Sequence, residues 1–317
     1  MGDGRRAALD LFRKGGKAAK VRHPATREGT APSVGAMGER SVKLHDIVTH
    51  STLQADGALD CGTAFAISLA QRHQALLTAL VYEVRLMLRT EDEREEARLE
   101  AERARIRAEA ERAAAAVEAA AAHAGIAHDV IVEQPSAFGI GEVLADYARV
   151  RDLAVVGVSG ILDGDARLLA ETVLFGAGRP LVLVPETSRS FAGHRIMIAW
   201  DATPAVVHAI AGAMPLLQAA REVIVVTVTD DKSFRRGQSG VELCRHLGRH
   251  GIAATFEAVE RQERLVADVL REAGTAYGID LLVMGGYAHS TLRGLIFGSA
   301  TRGILERPLT GPILMAH

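Results

Sequence analysis

The sequence predicts an α/β protein built from two tandem, doubly wound, parallel five-stranded domains. Three observations carry that expectation. Short β-branched apolar runs alternate with helical segments from residue 45 to residue 316, the pattern of βαβ units whose parallel strands need crossover helices. The alternation stops over the polar stretch 186–194 and then restarts. The two halves also repeat one another. Arg151-Asp152-Leu153-Ala154-Val155-Val156-Gly157 matches Ile279-Asp280-Leu281-Leu282-Val283-Met284-Gly285, and Pro180-Leu181-Val182-Leu183-Val184 matches Pro312-Ile313-Leu314-Met315-Ala316, a self-similarity that marks two copies of one unit.

The chain has 317 residues, a length that suits two domains, each able to bury about two-thirds of its unfolded surface without a metal or disulfide staple. The expected division is a tail over 1–40, a first domain over 41–187 and a second over 193–317. The tail carries Arg5, Arg6, Arg13, Lys14, Lys17, Lys20, Arg22 and Arg27 among Gly, Pro and Ser residues. Such a composition buries too little apolar surface to fold alone, so a disordered tail is expected. Its apolar run, 7–12, is broken by Asp10 and is too short for a cleavable signal peptide. A basic presequence, or translation beginning at Met37, are the alternatives.

In the first half, strands are expected over 45–50, 75–82, 129–133, 153–158 and 181–185, and helices over 58–74, 90–123, 141–149 and 166–174. The long helix 90–123 is rich in Ala, Glu and Arg. Thr90 with Glu93 fits a capping box and Gly125 fits a stop. Leu99, Ile106 and Ala113 recur every seven residues, which suggests a coiled-coil seam. The charge density before Ala113 suits instead a solvated helix with i,i+4 pairs that overhangs its sheet. In the second half, strands are expected over 195–200, 223–229, 255–259, 280–284 and 312–316. Helices are expected over 204–219, 240–251, 263–277 and 298–306.

Composition excludes several classes of function. Lys and Arg total 37 and Asp and Glu 39, for a net charge of −2, which argues against a dedicated nucleic-acid binder. No run of about 18 apolar residues is present to span a membrane. Cys61 and Cys244 are the two cysteines, too few for a zinc site or a disulfide framework, and both read as small buried hydrophobes. The histidines are scattered. His73, His123, His246 and His250 fall on or at the ends of helices and are expected to face solvent. The Gly-Lys-Ser/Thr phosphate loop, the Gly-x-Ser-x-Gly elbow and the His-Glu-x-x-His helix are all missing.

In open α/β sheets, ligands lie beyond the C-terminal ends of the strands, where the strand order reverses. In the second half those ends supply Trp200-Asp201, Val228-Thr229 and Met284-Gly285-Gly286. Asp201 is placed to accept hydrogen bonds from a ribose hydroxyl or a base amine. The following segment contains His289, Ser290 and Arg293, which would help cradle phosphates, and Gly298-Ser299-Ala300-Thr301 opens a helix. A helix N-terminus presents free N–H groups, and glycine lets backbone approach a phosphate closely. The bland alternative is a glycine-rich loop that is only a turn.

With its tandem layout, the stretch from Asp280 to His317 resembles the universal stress protein family in its tandem-domain form. The resemblance is specific in the second half and loose in the first. It implies a Rossmann-like fold of the adenine nucleotide alpha hydrolase type with strand order 3-2-1-4-5. It also implies ATP or AMP, with or without Mg2+, bound through Gly-x2-Gly-x9-Gly-Ser/Thr. Gly285 matches the first glycine and Gly298-Ser299 the last pair, and Asp201 matches the aspartate after the first strand. The second glycine is replaced by Ala288. If that position turns left-handed, the loop is expected to be strained or reshaped, with weaker phosphate contact.

The first half keeps only Gly157 of this pattern. Its first strand ends His50-Ser51 with no aspartate, and Ala166-Arg167 stand where Gly298-Ser299 stand in the second half. No nucleotide is expected there, and the resemblance implies an intramolecular version of the family's dimer, with a homodimer as a further possibility. The resulting expectation is a cytoplasmic, adenine-nucleotide-binding stress-response protein that is regulatory rather than a fast catalyst. The alternatives are a nucleotide-independent protein-interaction scaffold and a slow ATP hydrolase, for which His289 and Asp201 are the candidate bases.

Overall fold

The computed structural model describes residues 43–86, 92–162, 164–230, 237, 239–286, 288–291, 294–297 and 299–317, with the backbone alone for 288–291, 294–297 and Ser299. The expected tail 1–40 lies outside the described residues. The rest divides into two compact units, one of Leu44–Phe191 with Leu305–His317 and the other containing Ala192–Ile304.

The first unit holds strands β1 (Asp46–His50), β2 (Leu76–Tyr82), β3 (His128–Glu133), β4 (Leu153–Val158) and β5 (Leu181–Pro185), joined through helices α1 (Cys61–His73), α2 (Glu93–Ala124), α3 (Ile140–Arg149) and α4 (Gly164–Gly176). The strands lie in the order β3-β2-β1-β4-β5 and all pair in parallel, the order that the family resemblance implies. Residues of both parities are buried along β4 and β5, so helices cover both faces and the strands read as continuous apolar runs. A sixth strand, β12 (Ile313–Ala316), joins this unit antiparallel to β5, with Leu314 opposite Val182.

The second unit holds β6 (Arg195–Ala199), β7 (Glu222–Thr229), β8 (Ala254–Glu260) and β9 (Leu281–Gly285) in the parallel order β9-β6-β7-β8. Its helices are α5 (Pro204–Ala219), α6 (Gly240–Arg249), α7 (Val266–Tyr277) and the short α8 (Ser299–Leu305). Between β9 and α8 the chain forms a two-stranded antiparallel hairpin, β10 (Ala288–Thr291) with β11 (Gly294–Phe297).

The repeated sequence stretches do the same work in both units. Asp152 Oδ2 accepts from the backbone N–H groups of His45 and Asp46, at 2.8 and 3.1 Å. Asp280 Oδ2 accepts from those of His194 and Arg195, at 2.7 and 2.8 Å. Each aspartate thus pins the start of the first strand beside the fourth.

Two local expectations are corrected. The N-cap of α2 is Asp92, whose side chain accepts from the Arg94 N–H at 2.8 Å; the expected cap, Thr90, lies outside the described residues. An aspartate beside the first turn also meets the positive end of the helix dipole, which favours it over threonine. His73 is not turned to solvent: its Nε2 is buried and its ring lies 6.0 Å from that of Phe191. Gly125 does end α2, at φ +67°. Along α2 the buried side chains are Ala110, Ala113, Val117 and Ala121. Residues 93–109 instead carry exposed pairs such as Arg105 with Glu102 and Glu109, the pattern of a solvated helix whose C-terminal half alone packs down.

Candidate functional site

In the second unit the strand order reverses at β6, which lies between β7 and β9. The chain leaves β6 through Trp200, Asp201, Ala202 and Thr203. Asp201 Oδ1 accepts from both the backbone N–H and the hydroxyl of Thr203, at 3.1 and 2.7 Å. Thr203 in turn caps α5, its Oγ1 accepting from the Val206 N–H at 3.4 Å, with Pro204 in the first turn. Ala202 sits at φ +59°, a left-handed conformation that costs a residue with a Cβ about 1 kcal/mol. The aspartate after the first strand therefore holds a tight strand-to-helix turn.

Gly285, at the end of β9, is required by packing. A Cβ there would lie 2.8 Å from the Val206 backbone nitrogen and 3.1 Å from the Ala205 Cβ, so α5 begins where only a glycine leaves room. The hydroxyl of Thr301 donates to the Gly285 carbonyl at 3.3 Å and its side chain is buried. Thr301 thus ties the start of α8 to the end of β9 and does not present its hydroxyl to a phosphate, a correction to the sequence expectation. Met284 and Val228 are buried, and Ala300 lies in the first turn of α8.

The segment expected to be a phosphate-cradling loop is the β10–β11 hairpin. His289 and Ser290 pair there with Ile296 and Leu295, and Ser299 opens α8. Ala288 stands in β10 opposite Phe297. That extended conformation is open to any residue, so the left-handed strain considered for Ala288 does not arise and the segment is reshaped into a hairpin. Arg293 and Gly298 lie outside the described residues. The structure brings Trp200, Asp201, Gly285, Ala300 and Thr301 to one end of the sheet.

The first unit has a cavity at the corresponding place. It has a volume of about 680 Å³ and opens beyond the C-terminal ends of β1, β4 and β5, where His50, Gly157, Ser159 and Glu186 contribute to its wall. A ten-residue segment between β1 and α1 replaces the short turn of the second unit. Asp60 closes that segment as the N-cap of α1. Its Oδ1 accepts from the Thr63 N–H at 3.0 Å, and its Oδ2 from the Thr63 hydroxyl at 2.6 Å and the Thr52 N–H at 2.9 Å. Gly157 again is a packing residue, since a Cβ there would lie 2.9 Å from both Asp60 Oδ1 and the Gly62 nitrogen.

His50 stacks on Tyr82 with ring centroids 4.7 Å apart. Burial pushes its imidazole down to about 4, against the weaker opposing pull of Asp60, so the ring is neutral at neutral pH. His50 and Thr52 also line a second cavity, of about 690 Å³, which reaches Ile106 and Ala110 of α2. Burial and the neighbouring Asp60 charge raise the Cys61 thiol, whose Sγ lies 3.3 Å from the Val184 carbonyl. It is a packing group rather than a nucleophile. Asp60, Asp165, Glu186 and Phe138 were not singled out from the sequence. Asp60 alone had a local signal, an aspartate immediately before a helix and three residues ahead of Thr63.

Among the described residues, no group of three His, Cys, Asp or Glu side chains could hold a metal ion, and no helix is long and apolar enough to cross a membrane. No protein-family model matches the chain, and no curated protein matches it significantly. Solved structures do. A universal stress protein from Archaeoglobus fulgidus DSM 4304 superposes with a TM-score of 0.59 at 13% identity, covering 86% of this chain and 96% of that one. The chain has the universal stress protein fold. A putative universal stress protein from Pseudomonas aeruginosa UCBPP-PA14 is also similar, at TM-score 0.45 and 16% identity over 86% of this chain and 92% of that one. The universal stress protein UspA from Lactobacillus plantarum covers 46% of this chain and 99% of its own, at 21% identity and a TM-score of 0.32. Within the universal stress protein fold, the two strand-end regions of this chain differ in kind. The second unit has a tight Asp201-Thr203 turn and a hairpin, and the first has an extended loop around a cavity.

Proposed function

We propose that this chain is a regulatory adenine-nucleotide-binding protein of the universal stress protein type, with ATP or AMP held by the second unit. The observation that supports this most directly is the convergence at the end of β9. At Gly285 the start of α5 leaves no room for a side chain, so only backbone is present at this strand end. The Thr301 hydroxyl fastens the start of α8 to the same residue. Gly285 closes β9 and Ser299 opens α8, so these two members of the matched pattern bracket one strand end, the place where open α/β sheets bind ligands. Asp201 and the Trp200 ring stand at the neighbouring strand end, positions from which a ribose and a base would be read. Mg2+, if it accompanies ATP, would be carried by the phosphates. The absence of a recognised catalytic motif in the sequence supports a binding role over rapid turnover.

The test is calorimetric titration of the full chain with ATP and with AMP, alongside a phosphate-release assay and Trp200 fluorescence. The reading expects one site per chain, a change in Trp200 emission on saturation, and turnover that is slow or nil. No binding of either nucleotide, or two equivalent sites per chain, would overturn it.

A further inference from the structure

The cavity of the first unit is lined by acidic, neutral and apolar groups. Three carboxylates, those of Asp60, Asp165 and Glu186, line it, and among its lining residues there is no Lys or Arg. The basic side chains nearest in sequence are engaged elsewhere. Arg167 pairs with Glu171 at 2.7 Å, and Arg189 donates to the Leu59 carbonyl. Asp165 and Glu186 are exposed and form no ion pair with a described residue. A phosphate or carboxylate entering this space would face three lining carboxylates and no lining cation among the described residues, whereas an ammonium would be drawn in.

The apolar side of the cavity is equally specific. Phe138 is 89% exposed and Leu168 53% exposed, and both line the space with Ile140 and Leu169. A large aromatic ring left this bare, next to a concave site, is an unfilled contact surface rather than an isolated surface residue. An exposed aromatic face also attracts an organic cation. At the inner end, His50 is held by its stacking on Tyr82. Its neutral ring offers one nitrogen lone pair and one N–H, and an ammonium N–H would donate to the lone pair. Asp60 already accepts three hydrogen bonds that hold it in place, so it contributes chiefly its charge.

We propose that the first unit binds a small organic cation, an amine carrying an apolar or aromatic body, in the cavity bounded by His50, Asp60, Phe138, Asp165, Leu168 and Glu186. The ammonium would lie toward the carboxylates and His50, and the apolar body against Phe138 and Leu168. This site is opposite in charge preference to the nucleotide site proposed for the second unit and does not depend on it. One chain would then carry two ligands of different class.

The probe is 2-phenylethylamine, with 3-phenylpropionate as an anion of similar size and AMP as a nucleotide control. Each is titrated into the full-length protein and followed by amide NMR. The expected result is that 2-phenylethylamine shifts the Thr52, Gly157, Ser159 and Thr172 amides, and that 3-phenylpropionate binds there at least about tenfold more weakly. AMP should leave these amides unshifted even while it perturbs residues of the second unit. In the double variant Asp165→Asn/Glu186→Gln, whose sites are exposed and leave the fold intact, the cation should weaken about fivefold and the gap between the two probes should narrow. Phe138→Ala should weaken the amine and the carboxylate alike. The proposal is overturned if 2-phenylethylamine fails to shift these amides at millimolar concentration. It is also overturned if 3-phenylpropionate or AMP binds them as tightly, or if the double variant keeps the wild-type preference.

Discussion

Replacing Gly285 by alanine separates its packing role from any role in holding a ligand. In a strand, alanine orders at lower entropic cost than glycine, a gain of about 0.5–1 kcal/mol. Against this, the new Cβ would lie 2.8 Å from the Val206 backbone nitrogen and 3.1 Å from the Ala205 Cβ. Neither neighbour is the flexible end of a side chain, so α5 must move off β9 by several tenths of an ångström. Overpacking of this kind costs about 1–3 kcal/mol, and the net expectation is a loss of about 1–2 kcal/mol. For a unit of this size each kcal/mol lowers the melting temperature by about 4 °C. Trp200 is the single tryptophan and lies in the same unit as Gly285, so its fluorescence during urea unfolding reports the unit concerned. Gly248→Ala is the matched control. Gly248 is exposed in α6 with nothing within 4 Å of a new Cβ, and it should gain about 0.5 kcal/mol from helix propensity. A Gly285→Ala midpoint at or above wild type, in the absence of ligand, would refute the packing argument and leave Gly285 to be explained by ligand alone.

Asp280→Ala removes the acceptor of two backbone N–H bonds, at 2.7 and 2.8 Å. It should cost about 2–3 kcal/mol in the Trp200-monitored transition, since bonds to charged groups are the stronger kind. Thr301→Val keeps the shape but loses the donor to the Gly285 carbonyl, and a stability loss of about 1 kcal/mol is expected in the same transition. The first unit should lose stability as pH falls from about 7 toward 4, because protonation of His50, held at about 4 in the folded state against 6.5 otherwise, is favoured only on unfolding. The sign follows from linkage: the unfolded chain binds the extra proton, so stability is full above the unfolded value and declines below it, by no more than about 3 kcal/mol. Amide exchange of β1 and β2 at pH 7 and pH 5 measures this, and His50→Phe should flatten the dependence.

Much of the fold was legible because its determinants are local and repeated. Alternating apolar runs and helical segments specify βαβ units wherever they occur, and right-handed crossovers restrict how such units connect. The matched aspartates and glycines, Asp152 with Asp280 and Gly157 with Gly285, announced two copies of one unit before any contact was known. Their purpose was not legible. Whether a glycine is kept for a phosphate or for a helix depends on what crosses it, and that is α1 at Gly157 and α5 at Gly285. Thr301 read as a hydroxyl awaiting a ligand, and only its burial beneath Gly285 makes it a fastening. The cavity of the first unit had no sequence signature at all. Its wall comes from residues far apart in the chain, from His50 to Glu186, and a concave surface exists only once the sheet and helices have brought them together. The charge of that wall was in the sequence all along, as scattered Asp and Glu. Only the tertiary structure gathered Asp60, Asp165 and Glu186 around one space whose described lining holds no Lys or Arg.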